Sequence, residues 1–330
     1  MMKFLSFGRL PLLMGHQLPP DLREIAILGG YRPLQSTPRQ CLQSVFSPTN
    51  ETINVWTHLI PSVYFIWKLV TFCYSLDVST TPYTWAFVAY MVTACTYPFV
   101  SAMAHTFYVM STFARKICFF LDYGALSFYS FGVGLLYRAY AFPETLLESK
   151  FCDVFLFVCL LNALMSTVIA CSSRFFTSRI LMKLFRLGAF SFPWIWDNIP
   201  LIYRLTYADR LQSVSEVHYM RQLVFSVLIG FLYTSHLPER LAPGKFDIVG
   251  HSHQLLHICG VLATTEQING ALYDLKVRRE ILQVSGKMVC SSWSVGAVVF
   301  LFFVNAGIIA MFTRYAWKSR NDKGESDKDR

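Results

Sequence analysis

The segment HSHQLLHIC (251–259) puts His253 and His257 four residues apart, a spacing that sets two side chains next to each other on one helical face. A third imidazole, His105, closes the stretch SAMAH (101–105), with Ser101 four residues before it, and Asp122 follows in LDYGA (121–125). Three imidazoles suit Zn²⁺, and a fourth position left to water is the pattern of a catalytic centre. Asp122 would then accept from that water or from a ligand imidazole. The same histidines could instead hydrogen-bond between helices or face water. His251 lies two residues from His253, on a different face, and stays outside the set.

The elements that must position these groups follow from composition. The chain has 330 residues, of which 54% are hydrophobic and only 15% charged, whereas a soluble domain carries about a quarter charged. Apolar runs near the roughly 20 residues that cross a bilayer recur throughout. The expectation is an all-α polytopic membrane protein with eight spans, near 53–76, 83–110, 117–142, 153–171, 184–205, 217–237, 247–273 and 289–314. Residues 1–52 would form a cytoplasmic N-terminal segment, 53–314 the bundle, and 315–330 a disordered polar tail. The fifth span reads weakest, because Pro193, Asp197 and Pro200 interrupt it. PPDLREIAILGG (19–30) reads as a short helix capped by Asp21, with Leu22, Ile25 and Leu28 on one face.

The net charge of +9 is not gathered in a stripe or arm, which argues against a nucleic-acid partner. Its positives sit between apolar runs, where they report orientation. Arg115, Lys116, Arg174, Arg179, Lys183, Arg186, Arg240 and Lys245 join the N-terminal segment on one side. That side is cytoplasmic by the positive-inside rule, although the last outer loop is basic too. Eight spans return the C-terminus to the same side. No cleavable signal peptide is evident in MMKFLSFGRLPLLMG. Nine scattered cysteines show no metal-finger spacing; Cys152 and Cys290 fall on the outer side and could pair.

On this topology the polar residues share a depth. His105 ends the second span, Asp122 lies near the start of the third, and His253 and His257 begin the seventh. Glu51, Asn54 and His58 begin the first, and His236 ends the sixth. All fall in the cytoplasmic half, and ionisable groups inside spans mark functional sites. Asp197 stands apart in FPWIWDNIP (192–200). It is expected either to pair with Arg138 or Arg204 or to serve as a polar anchor in a ligand cavity; Glu51 and Asn54 are further candidates for such a cavity. ERLAPGK (239–245) reads as a solvated turn.

TNETINVWTH (49–58), SAMAHTF (101–107), LDYGA (121–125) and HSHQLLH (251–257) resemble, in order, the signature blocks of the progestin and adipoQ receptor family. HLPERLAPGKFDIVGHSHQLLHIC (236–259) and WDNIP (196–200) are similar to its membrane progestin receptor branch, the gamma type most of all. The resemblance implies a seven-helix core with an eighth C-terminal span. It also implies Zn²⁺ on His105, His253 and His257, with Asp122 and Ser101 around the metal-bound water. It further implies cell-surface sensing of progesterone-like steroids through G proteins, with a role in oocyte maturation. Relatives in the family, and the more distant alkaline ceramidases, imply hydrolysis of a lipid amide as the alternative. A purely structural zinc is the third reading.

Overall fold

A computed structural model describes residues 11–75, 78, 80–207 and 214–322. Eight long helices account for most of them: α2 Thr52–Ser75, α3 Trp85–Phe107, α4 Thr112–Leu136, α5 Lys150–Ser172, α6 Arg179–Tyr207, α7 Val214–Ser235, α8 Ser252–Val277 and α10 Ala297–Asp322. Short helices α1 (Pro38–Ser44) and α9 (Arg279–Val284) flank the set. By length and composition, the segments built on α3, α4, α5 and α10 can each cross a membrane. The chain is an all-α polytopic membrane protein.

Consecutive helices pack side by side from α2 to α6, and α8 closes the ring by packing on both α7 and α2. α4 lies at the centre of the contacts, touching α3, α5, α6 and α10. Close approach of α3 and α4 depends on Gly132, where an added Cβ would come within 2.0 Å of Thr93 Oγ1; small residues at helix crossings serve this purpose in membranes. α10 lies outside the ring against α4 and α5. Asn305 fastens it, donating to the Gly124 carbonyl (3.3 Å) and accepting from Thr167 (3.0 Å). Its outward residues Val299, Phe300, Phe302 and Phe303 are exposed, as a lipid-facing surface requires.

The interrupted fifth span is one continuous helix, α6. Proline at 193 removes the amide that would bond the Ala189 carbonyl, and the Ser166 hydroxyl of α5 bonds that carbonyl instead. Neighbouring helices thus repair what the ring removes.

Two expectations for the ends of the chain fail. Within residues 19–30 the helical part is one short turn, Pro20–Leu22, followed by a turn at 25–26. Ala26 has φ 61° and Gly30 φ 78°, and this left-handed backbone is incompatible with a helix. The short helix forms instead at 38–44, where Thr37 accepts from the Gln40 amide and the Gln40 side chain returns the bond. At the other end, α10 continues through 315–322, residues assigned above to the tail; 323–330 lie outside the described residues. The suggested bridge is also absent: Cys152 is buried, Cys290 exposed, and both are free.

Residues 11–50 fold as a cap over the end of the bundle where α2, α4 and α8 begin and α3 ends, here called the near end. The cap turns on Tyr31, whose hydroxyl donates to the Ile27 carbonyl (3.1 Å) and accepts from the Glu24 amide (2.9 Å). Burial pushes this phenol up to about 12, so it stays neutral and keeps its proton to donate. The loop 236–251 grips the cap from the other side. Asp247 Oδ1 accepts from the Leu28 amide (2.9 Å), the Gly244 amide donates to the Ala26 carbonyl (3.3 Å), and His251 Nε2 lies 3.1 Å from the Asn50 carbonyl. The turn ERLAPGK is solvated over most of its length, with Arg240, Leu241, Pro243, Gly244 and Lys245 exposed, but not at its start. Its Glu239 is buried and accepts from the Ser252 amide (2.7 Å), placing a carboxylate at the positive N-terminus of α8.

Candidate metal centre

The near end assembles the residues singled out by type and spacing. α8 begins one residue before His253, so His253 and His257 occupy its first two turns on one face. His105 sits two residues before the end of α3. The imidazole nitrogens of His105, His253 and His257 can all be brought to one ion, lying within 4.8 Å of one another. His253 Nε2 and His105 Nε2 are 3.3 Å apart. That is long for a hydrogen bond, and it equals the edge of a tetrahedron with metal–nitrogen bonds of about 2.05 Å, which is about 3.3 Å. His105 and His257 are buried, while His253 remains exposed.

Hydrogen bonds behind the cluster set its tautomers. Glu51 Oε2 lies 2.7 Å from His105 Nδ1, and the Asn54 carbonyl oxygen lies 3.2 Å from His257 Nδ1. Both oxygens accept, so each Nδ1 donates and each Nε2 turns its lone pair inward. Glu51 is itself held by Asn54 Nδ2 (2.8 Å) and the Tyr108 hydroxyl (3.0 Å). A carboxylate or carbonyl behind each ligand imidazole is what metal-binding histidines use to fix orientation. His58 of α2 stacks on His257 with centroids 3.7 Å apart and planes within 11°.

Ser101 and Asp122 come together beside His105. Asp122 Oδ1 is buried and has no protein partner, so an acceptor is held ready next to the imidazoles. Glu51 and Asn54, considered above for a ligand cavity, are instead taken up in bracing His105 and His257. Asp197 lies elsewhere, in the interior between α4, α5 and α6. It accepts from Ser130 (3.0 Å), and Oδ1 is unpartnered. The expected ion pair is not made: Arg204 binds Asp274 (2.6 and 3.1 Å) and Arg138 donates to the Lys287 carbonyl (3.1 Å). His236 contacts Lys183 and Glu239 and is not one of the three clustered imidazoles.

Next to the cluster, Trp56, Thr57, Ile60, Ile258, Val261 and Leu262 line a shallow, open apolar groove of about 330 Å³ between α2 and α8. Thr57 belongs both to this groove and to the surroundings of His257, whose Nδ1 is 3.3 Å from its hydroxyl.

A family model described as haemolysin-III related matches residues 46–268, from just before α2 into α8. Human membrane progestin receptor gamma is 41% identical over 310 residues, covering 92% of this chain and 94% of that protein. The human delta receptor is 42% identical over 92% and 90%, and the human alpha receptor 28% over 81% and 78%. The chain belongs to the progestin and adipoQ receptor family. Within it, the chain falls in the membrane progestin receptor branch. α10 lies beyond the region covered by the family model, which runs from before α2 into α8 and includes His105, His253 and His257.

Sequence reasoning missed two supports. Glu51 was noticed for its depth but not as the acceptor behind His105, a contact 54 residues away. Glu239 was read as solvated, although it closes the start of the helix that carries two of the three imidazoles. Neither has a local periodic signal, because its partner lies on another element.

Proposed function

We propose that the chain is a plasma-membrane receptor for progesterone-like steroids, signalling through G proteins, with Zn²⁺ held by His105, His253 and His257. The observation that carries the metal reading is the 3.3 Å approach of two ring nitrogens, with Nδ1 of His105 and His257 already committed to oxygen acceptors. The steroid reading draws on the names of the relatives. It is supported by an apolar groove that shares Thr57 with the cluster, since a rigid apolar ligand needs such a surface and few polar contacts. The excess of Arg and Lys on the N-terminal side supports a cytoplasmic near end.

The test uses the full chain, purified in detergent. Wild type should carry about one zinc per chain, as three imidazoles would hold, and should bind progesterone saturably and promote nucleotide exchange on a G protein. His253→Ala should lose the zinc and lower steroid affinity. Unchanged steroid affinity and signalling in folded, zinc-free His253→Ala would remove the metal from receptor function.

One observation favours a second reading, hydrolysis of a lipid amide. Asp122 offers an unpartnered carboxylate oxygen next to Ser101 and the cluster. When bound, Zn²⁺ would supply Lewis acidity there; Asp122 would take a proton and Ser101 would donate to the developing oxyanion. Fatty acid released from ceramide by the purified protein, and stopped by a chelator, is the expected result. No chelator-sensitive release would sink the enzyme reading.

A further inference from the structure

The cap reaches the metal centre through one side chain. Arg32 is buried, 3% exposed, in residues 11–50. Its guanidinium forks onto the last turn of α3: Nη2 donates to the carbonyl of His105 itself (2.6 Å) and Nη1 to that of Thr106 (2.8 Å), with the Ser44 hydroxyl at 3.2 Å. These two carbonyls belong to the helix end, where no intrahelical amide is available to them. A cation there also meets the negative end of the helix dipole. The same guanidinium lies over the Tyr108 ring, 5.1 Å from its centroid. Tyr108 bonds Glu51, and Glu51 bonds His105 Nδ1. Arg32 therefore holds His105 twice, by its backbone and, through Tyr108 and Glu51, by its ring.

We infer that Arg32 is a positioning residue for the metal centre, through which the N-terminal cap sets the aim of the His105 imidazole. The inference rests on the metal reading of the three histidines. The other two ligands meet the cap less directly: His253 and His257 are carried by α8, whose N-cap His251 lies against the Asn50 carbonyl and whose Ser252 amide is held by Glu239 of the 236–251 loop. The linkage gives the N-terminal segment control over metal retention. Anything that lifts residues 29–32 frees the end of α3 and releases one of three ligands, leaving the α8 pair in place. Gly30 is the seam on which this depends: it has φ 78°, and a Cβ there would lie 2.4 Å from Ile248 Cδ1 and 3.2 Å from the Asn50 amide nitrogen.

The experiment compares wild type, Arg32→Met, Arg32→Lys and Gly30→Ala as full chains. Zinc affinity is read by chelator competition, and helix content and monodispersity are checked in parallel. The expected result is a loss of roughly tenfold or more in zinc affinity for Arg32→Met, the range for groups that orient a ligand. Arg32→Lys, which cannot fork onto two carbonyls, and Gly30→Ala, which displaces the cap without touching α3, should lose severalfold. At saturating Co²⁺ the visible ligand-field band should shift in Arg32→Met and Gly30→Ala, a change that mere loss of stability would not produce. Wild-type affinity and an unshifted band in the folded variants would overturn the inference. If Arg32→Met does not fold, Arg32→Lys and Gly30→Ala decide it by the same two readouts. Absence of zinc from wild type would instead overturn the metal reading, an outcome separate from any difference among the variants.

Discussion

The two ends of the bundle use the same device for different purposes. At the near end Arg32 forks onto the carbonyls of His105 and Thr106; at the far end Arg278 forks onto those of Tyr140 (2.6 Å) and Phe142 (2.7 Å), where α4 unwinds. Each buried guanidinium closes a helix terminus, satisfying carbonyls that have no intrahelical amide. Beyond that the ends differ. At the far end Arg204 binds Asp274 in bidentate fashion, Tyr219 adds a third bond to that carboxylate (3.1 Å), and Glu216 lies 3.8 Å from the guanidinium. Charge is matched by charge and the network is closed. At the near end three imidazoles face one point with no acid among them, and the Asp122 acceptor beside them is unpartnered. A closed network holds helices together, whereas an open one is built to be completed by something else.

The largest test of this contrast is at the closed end. Arg204→Met strands a buried Asp274 carboxylate and should cost about 3–5 kcal/mol of stability, measured as a lowered unfolding midpoint in detergent, while zinc stoichiometry stays at the wild-type level. Adding Asp274→Leu should recover most of the loss. Zinc loss in a folded Arg204→Met chain would show that the ends are coupled and break the comparison. Next in size is Glu51→Gln at the open end, which keeps the shape behind His105 but removes the charge. It should weaken zinc binding by roughly 10–100-fold in a competition assay and change the unfolding midpoint of metal-free protein little. The smallest effect is expected where an ion pair is neither closed nor buried. Arg221 is 60% exposed and 3.8 Å from Glu266, so Arg221→Ala should cost under about 1 kcal/mol. A larger cost would mean that the outer face of α7 is covered in the native membrane.

Legibility in the sequence follows the range of each interaction. His253 and His257 could be paired from their spacing alone, because one helix carries both. Recruiting His105 required only that alternating spans place it at the same depth. The cap was misread for the opposite reason. Residues 19–30 have the polar cap and apolar face of a helix, yet positive φ at Ala26 and Gly30 and the bonds to 236–251 hold them in turns. Asp197 was expected to seek a guanidinium, but both candidates were already engaged. Its actual neighbour, Ser130, sits on α4, 67 residues away.

By itself the sequence determined the eight long helices, their alternating direction and the common depth of the polar residues. Hydrophobic length and helical periodicity are local properties, and a bilayer leaves the backbone few alternatives. Tertiary structure alone decided which nitrogens turn inward and which oxygens stand behind them. It also decided that Arg32, more than 70 residues upstream, anchors the end of α3. Those outcomes depend on where carbonyls and carboxylates of different helices meet, and no single segment encodes that meeting.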